Sequence, residues 1–152
     1  MFFVDGTNDF AYLPDMYDQS YRLVKSDRNF QITLEMGHGH QQGWAPKEIE
    51  MFVSQHLTGG MPLPVVHLPR AYPDHQLIAS VSTETELLLA NLHYTTDTAP
   101  YPERRWNTVR AEIVDNAIVA NVVAGQKQIS IFTVTDGRDA VVSSPFVFST
   151  HS

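Results

Sequence analysis

Met1-Phe2-Phe3-Val4-Asp5-Gly6-Thr7-Asn8-Asp9, followed by Gln31-Ile32-Thr33-Leu34-Glu35-Met36-Gly37-His38-Gly39-His40, is the stretch on which the reading of the fold turns. Each half is a run of strand character that ends in a glycine-containing loop. The first loop carries an acid and the second a histidine. An acid after one strand and a histidine after the next are two of the three parts of an acid–histidine–nucleophile triad. The third part, a serine on a sharp G-x-S-x-G turn, does not occur in the sequence.

Around these strands the front of the chain alternates strand with helix. A helix is expected from Pro14 to Val24, with Pro14 suited to its first turn and Tyr17, Ser20 or Tyr21, and Val24 on one face. Asp27-Arg28-Asn29 reads as a turn, residues 30–36 as a strand, and Gly37 to Ala45 as a loop. A second helix from Pro46 to about Leu57 carries the stripe Ile49, Phe52, Val53, His56 and Leu57 and stops at Gly59-Gly60. The order β–α–β–α indicates a parallel sheet with covering helices.

From Pro64 onward the helical period is lost. Apolar runs recur at 65–68, 77–81, 86–94, 106–113, 117–123, 129–134 and 140–148. Turn signals between them include Asp115-Asn116, Ala124-Gly125 and Asp136-Gly137. About seven short strands of this kind suggest an antiparallel sandwich of immunoglobulin or fibronectin type. The expected fold is therefore an α/β segment with parallel strands followed by an all-β sandwich, divided as residues 1–62 and 63–152. The linker Gly59-Gly60-Met61-Pro62-Leu63-Pro64 is too apolar and proline-stiffened for a loose tether.

Composition narrows the function classes. Hydrophobic content of 43% with 18% charged residues is ordinary for a globular chain of 152 residues. A formal net charge of -7, with ten Lys and Arg in all, argues against a nucleic-acid partner. Without cysteine there is no disulfide, thiolate metal site or cysteine nucleophile. No apolar run approaches the roughly 18 residues of a membrane span, and the N-terminus lacks a basic lead, so neither a membrane nor a signal peptide is expected. The compartment stays open, a periplasmic or secreted complete protein being one option.

In the acid loop, Asp9 is preferred over Asp5, which lies at the strand end where it would cap the turn. Asp9 also has an ordinary role open to it, as the Asx-turn residue of Asn8-Asp9. His38, flanked by Gly37 and Gly39 so that the backbone can approach closely, is the candidate base, with His40 as the alternative. A metal held by His38, His40 and Asp9 is disfavoured, because two histidines at that spacing are common and no further ligand cluster exists. No metal and no cofactor are expected.

With Asp9 and His38 in place, residues Phe3 to Tyr12, Met36 to His40 and Gly43-Trp44-Ala45-Pro46-Lys47-Glu48-Ile49 resemble the C-terminal end of bacterial α/β-hydrolases of the acetylxylan-esterase and dienelactone-hydrolase type. Residues 65–148 resemble the β-sandwich appended to some of them. The resemblance implies that Asp9 and His38 complete a serine triad acting on a small acyl ester or a carbohydrate ester. It also implies a truncated chain, since no HGGG-type oxyanion segment precedes the acid strand. Such a C-terminal fragment is expected to be inactive alone, and its open sheet edge is a route to self-association. The alternative is a carbohydrate- or protein-binding sandwich with a remodelled α/β cap, using Tyr72, Tyr101 and Trp106 as a platform.

Overall fold

Uninterrupted apolar character suits Phe2-Phe3-Val4 to a strand covered on both faces. In the computed structural model, which describes residues 1–122 and 126–149, it forms β1 (Phe2–Gly6). Helix α1 (Pro14–Arg22) follows, with Pro14 in its first turn. Strand β2 (Asn29–Thr33) then runs parallel to β1, with Phe3 opposite Phe30 and Asp5 opposite Ile32. Two helices close the front part, α2 (His40–Trp44) and α3 (Glu48–Leu57). Gly59, at φ 71°, makes the left-handed step after α3.

Alternation along β1 sends successive side chains to opposite faces. On one face Phe3 stacks on Phe30 at 5.5 Å, and Tyr21 of α1 meets Phe30 edge-on at 4.7 Å. On the other, Phe52 of α3 stacks on Phe2 at 5.4 Å. Of the expected α3 stripe, Ile49 and Phe52 are half-buried, whereas Val53, His56 and Leu57 are exposed. Phe52 rests on the last strand of its sheet, so the helix overhangs an edge and buries only part of its stripe.

The remaining strands are β3 (Val65–Val66), β4 (Arg70–Tyr72), β5 (Gln76–Ser82), β6 (Leu87–Thr95), β7 (Asn107–Arg110), β8 (Glu112–Val114), β9 (Ala117–Asn121), β10 (Gln128–Asp136), β11 (Val141–Ser143) and β12 (Val147–Ser149). They build two sheets. One has seven strands in the order β1-β2-β11-β10-β6-β7, with β12 also paired to β10. The other has five, in the order β3-β5-β9-β8, with β4 also on β5. Leu77, Ala79 and Ile118 from the second sheet meet Leu92, Phe132 and Val134 from the first in one buried cluster. The expected Ala124-Gly125 turn and the end of the run at Val123 lie outside the described residues.

This architecture corrects the expected fold class. The chain is mostly β, and its first two strands are not a separate parallel α/β unit. Among the described residues only β1 and β2 pair in parallel, and the second edge of β2 is taken by antiparallel β11, with Phe30 opposite Ser143. The physical reason is the open edge that a two-strand parallel unit would leave. Ser143 closes it by side chain as well as backbone: its Oγ accepts the Ile32 N–H at 2.9 Å and donates to the Ile32 carbonyl at 3.3 Å. The resemblance to the end of an α/β-hydrolase is corrected with it, because a mixed sheet with antiparallel neighbours replaces the parallel sheet that the resemblance implies.

Candidate functional site

The carboxyl ends of the two parallel strands lie side by side, so the loops that follow them start as neighbours. Several bonds then lock the loops together. Thr7 N–H donates to the Thr33 carbonyl and Asn8 N–H to the Met36 carbonyl, each at 3.1 Å. Glu35 N–H donates to Thr7 Oγ1 at 2.8 Å. Gly6 is what permits this approach, since a Cβ there would sit 2.0 Å from the Met36 carbonyl oxygen. At Gly37 a Cβ would meet nothing nearer than the Asn8 carbonyl at 3.9 Å. At Gly39 a Cβ would meet only the movable end of the Gln42 side chain, so the close backbone approach that the sequence reading gives to Gly37 and Gly39 belongs to Gly6.

The loops bring Asp9 and His38 together, with Oδ2 of Asp9 2.9 Å from Nδ1 of His38. Asp9 is buried, and its Oδ1 accepts the N–H groups of Ala11 at 2.6 Å and Tyr12 at 2.9 Å. The Asx-turn role and the role of histidine partner thus coexist, one on each oxygen. An ionised carboxylate only accepts, so Nδ1 carries the hydrogen and Nε2 of the neutral ring keeps a free lone pair. Phe10 and Tyr12, from the acid loop, flank the imidazole at centroid distances of 5.3 and 5.5 Å. Both are exposed.

A cavity of about 440 Å³ opens beside the pair, bounded by Asp5, Tyr12, Met36, His40 and Trp44 among others. His40, the first residue of α2, lines it but makes no bond to Asp9. No serine, threonine or lysine lines the cavity among the described residues. Nor do the described residues hold a group of three or more His, Cys, Asp or Glu arranged for a metal. An apolar groove of about 400 Å³ runs alongside, sharing Val4, Gly43 and Trp44 with the cavity.

The sequence reading missed Tyr12 and Trp44 as cavity residues and Phe10 as a neighbour of the His38 ring, although Phe10-Ala11-Tyr12 directly follows the acid. It also placed Asp5 as a turn cap. Asp5 does accept the Gly6 N–H at 2.8 Å, but it lines the cavity too, and its second oxygen is buried without a partner. Burial, aided by the charge on Asp9 and opposed by the Gly6 bond, pushes its carboxyl from the ordinary 3.8 up to about 8. Of the three aromatics weighed as a binding platform, Trp106 is buried among Ile32, Ile131 and Phe146. Tyr101 is half-buried with the Arg104 guanidinium 3.9 Å over its ring, which leaves Tyr72 exposed.

Fold and site define a mostly β protein with an acid–histidine pair where two parallel strands end. No protein-family model matches the chain, and no curated protein matches it. Among solved structures it is similar to a pectate lyase from Pectobacterium carotovorum, at 13% identity and a TM-score of 0.36. The match covers 59% of this chain and 27% of that enzyme, and a likeness of that size carries no argument.

Proposed function

We propose that this chain supplies the acid–base half of a serine-dependent carboxylic-ester hydrolase, the attacking serine coming from outside its 152 residues. The observation that carries the reading is the 2.9 Å contact between Asp9 Oδ2 and His38 Nδ1, which leaves Nε2 free beside a cavity. In that role Nε2 takes the proton of the serine hydroxyl as the serine oxygen attacks the ester carbonyl. Asp9 then faces the Nδ1–H of the imidazolium and stabilises it. The proton passes to the departing alkoxide, and water attacking the acyl-serine repeats the sequence. The substrate class is a small acyl ester or a carbohydrate ester.

Removing a triad nucleophile costs several powers of ten in rate, so the chain alone should not hydrolyse esters. The test is hydrolysis of p-nitrophenyl acetate by the chain, by the reading frame extended upstream of Met1, and by His38→Ala in each. Activity in the extended form that is lost with His38→Ala supports the proposal. A His38-dependent rate in the chain alone, or an extended form indifferent to His38→Ala, rejects it.

A further inference from the structure

Asp5 is a carboxyl of the site cavity that the acid–histidine pair does not use. It is 3% exposed; Oδ1 accepts one N–H, from Gly6, and Oδ2 has no donor. Asp9, four residues on, is better supplied, with two backbone N–H groups on one oxygen and the imidazole on the other. The titratable groups around Asp5 are Asp9 and Tyr12 from the acid loop, His38 from the loop after β2 and His40 at the start of α2, all lining the cavity, and half-buried Tyr17 of α1. No Lys or Arg lines the cavity among the described residues. Two buried carboxyls this close, without a fixed cation, oppose each other's ionisation, and the one with fewer donors is the one that keeps its proton.

We propose that Asp5 is a positioning residue of this site: its retained proton leaves Asp9 as the single negative carboxylate, so that His38 can release its own proton and stand as a neutral base. The inference rests on the reading of Asp9 and His38 as an acid–base pair. The upward push on the Asp5 carboxyl by burial agrees with it. When Asp5 does give its proton to solvent, the cavity gains a second negative charge. That charge favours the imidazolium and opposes the base role.

The test is an NMR titration of the chain between pH 4 and 10, following the Asp5 side-chain carboxyl carbon and the His38 ring, in the wild type and in Asp5→Asn. The Asp5 carbon should titrate near pH 8, the value to which burial pushes it. In the wild type the His38 ring resonances should show, besides their own main titration step, a smaller inflection at the pH of the Asp5 step. Asp5→Asn should remove that inflection and leave the main step within about 0.2 pH unit. An Asp5 carbon that titrates in the ordinary acid range overturns the proposal without recourse to any variant. So does a wild-type His38 ring with no second inflection. A fall of more than about 0.5 pH unit in the main step of Asp5→Asn also overturns it, because Asp5 would then already be charged. Asp9→Asn separates the two readings: if it leaves the His38 titration in place, the acid–base pair itself fails, whatever Asp5 does.

Discussion

Asp5 and Asp136 are both buried carboxyls, and the structure treats them oppositely. Asp136, at the end of β10, accepts from the Arg138 guanidinium at 2.6 Å, from Thr85 Oγ1 at 3.0 Å, and from the N–H groups of Arg138 and Ala140. Burial alone would raise its carboxyl, but these donors together hold it below the usual carboxylate range. Asp5 has one donor and is pushed up to about 8. The folded chain therefore binds one more proton at Asp5 than the unfolded chain between about pH 4 and pH 8. Stability from this residue falls as pH rises through that window and is level above it. Asp5→Asn, which keeps the shape and has no charge to bury, should match the wild type near pH 4. At pH 8 it should exceed the wild type by about 2–4 kcal/mol, read from urea midpoints at the two values. A difference that does not grow with pH would mean that Asp5 is ionised in the folded chain.

At the scale of elements, the site depends on two loops pressed together, and Gly6 is the position where they touch. Gly6→Ala forces its Cβ against the Met36 carbonyl and should cost at least about 1–3 kcal/mol while displacing His38 from Asp9. Gly37→Ala, whose Cβ would make only an ordinary contact with the Asn8 carbonyl, should stay within about 1 kcal/mol of the wild type. Thermal unfolding and the low-field Nδ1–H signal of His38 measure both effects. The roles of these glycines show where sequence reading stops: glycine marks a loop, but only the second loop decides which glycine is crowded. Local signals do locate β1, α1, β2 and α3, because each has its own period or breaker. The run 106–113 splits at Ala111 into β7 and β8, and the run 140–148 splits around Ser144-Pro145 into β11 and β12. Helix α2 falls inside the stretch from Gly37 to Ala45 that the sequence marks as a loop. No local pattern announces that Phe30 pairs with Ser143, because that pairing is set by which edge is open once both sheets exist. The Asp9–His38 pair is legible for the opposite reason: each residue sits in a loop just beyond the end of its own parallel strand. The burial of Asp5 and the flanking of His38 by Phe10 and Tyr12 depend on the assembled loops and have no such signal.

For the whole molecule, the question is whether the front segment and the β-rich remainder unfold together. Bonds joining them are spread along the chain rather than gathered at the linker. Phe146 N–H donates to the Tyr21 hydroxyl at 3.1 Å, and Asn29 Nδ2 donates to the Pro64 carbonyl at 2.8 Å. Val141 N–H donates to Glu48 Oε1 at 2.8 Å, and Asn8 Nδ2 reaches the Arg104 carbonyl at 2.8 Å. Ile32 of β2 packs in one cluster with Trp106, Ile129, Ile131 and Phe146. Separating the two parts would strand several buried donors at about 1–3 kcal/mol each and open that cluster to water. Neither part loses little by parting, so one cooperative transition is expected. Trp44 is exposed and Trp106 buried, so Trp44→Phe leaves Trp106 as the only indole and a reporter on the joint between β2 and the rest. In that background the urea midpoints from Trp106 fluorescence, from circular dichroism and from the His38 ring resonances should coincide. Ser143→Ala removes the hydroxyl that bridges β2 to β11 and should lower all three midpoints together, by about 1–3 kcal/mol in stability. If the His38 signal melts first while Trp106 stays folded, the joint is not cooperative, and the acid–histidine site rides on a separately unfolding edge of the sheet.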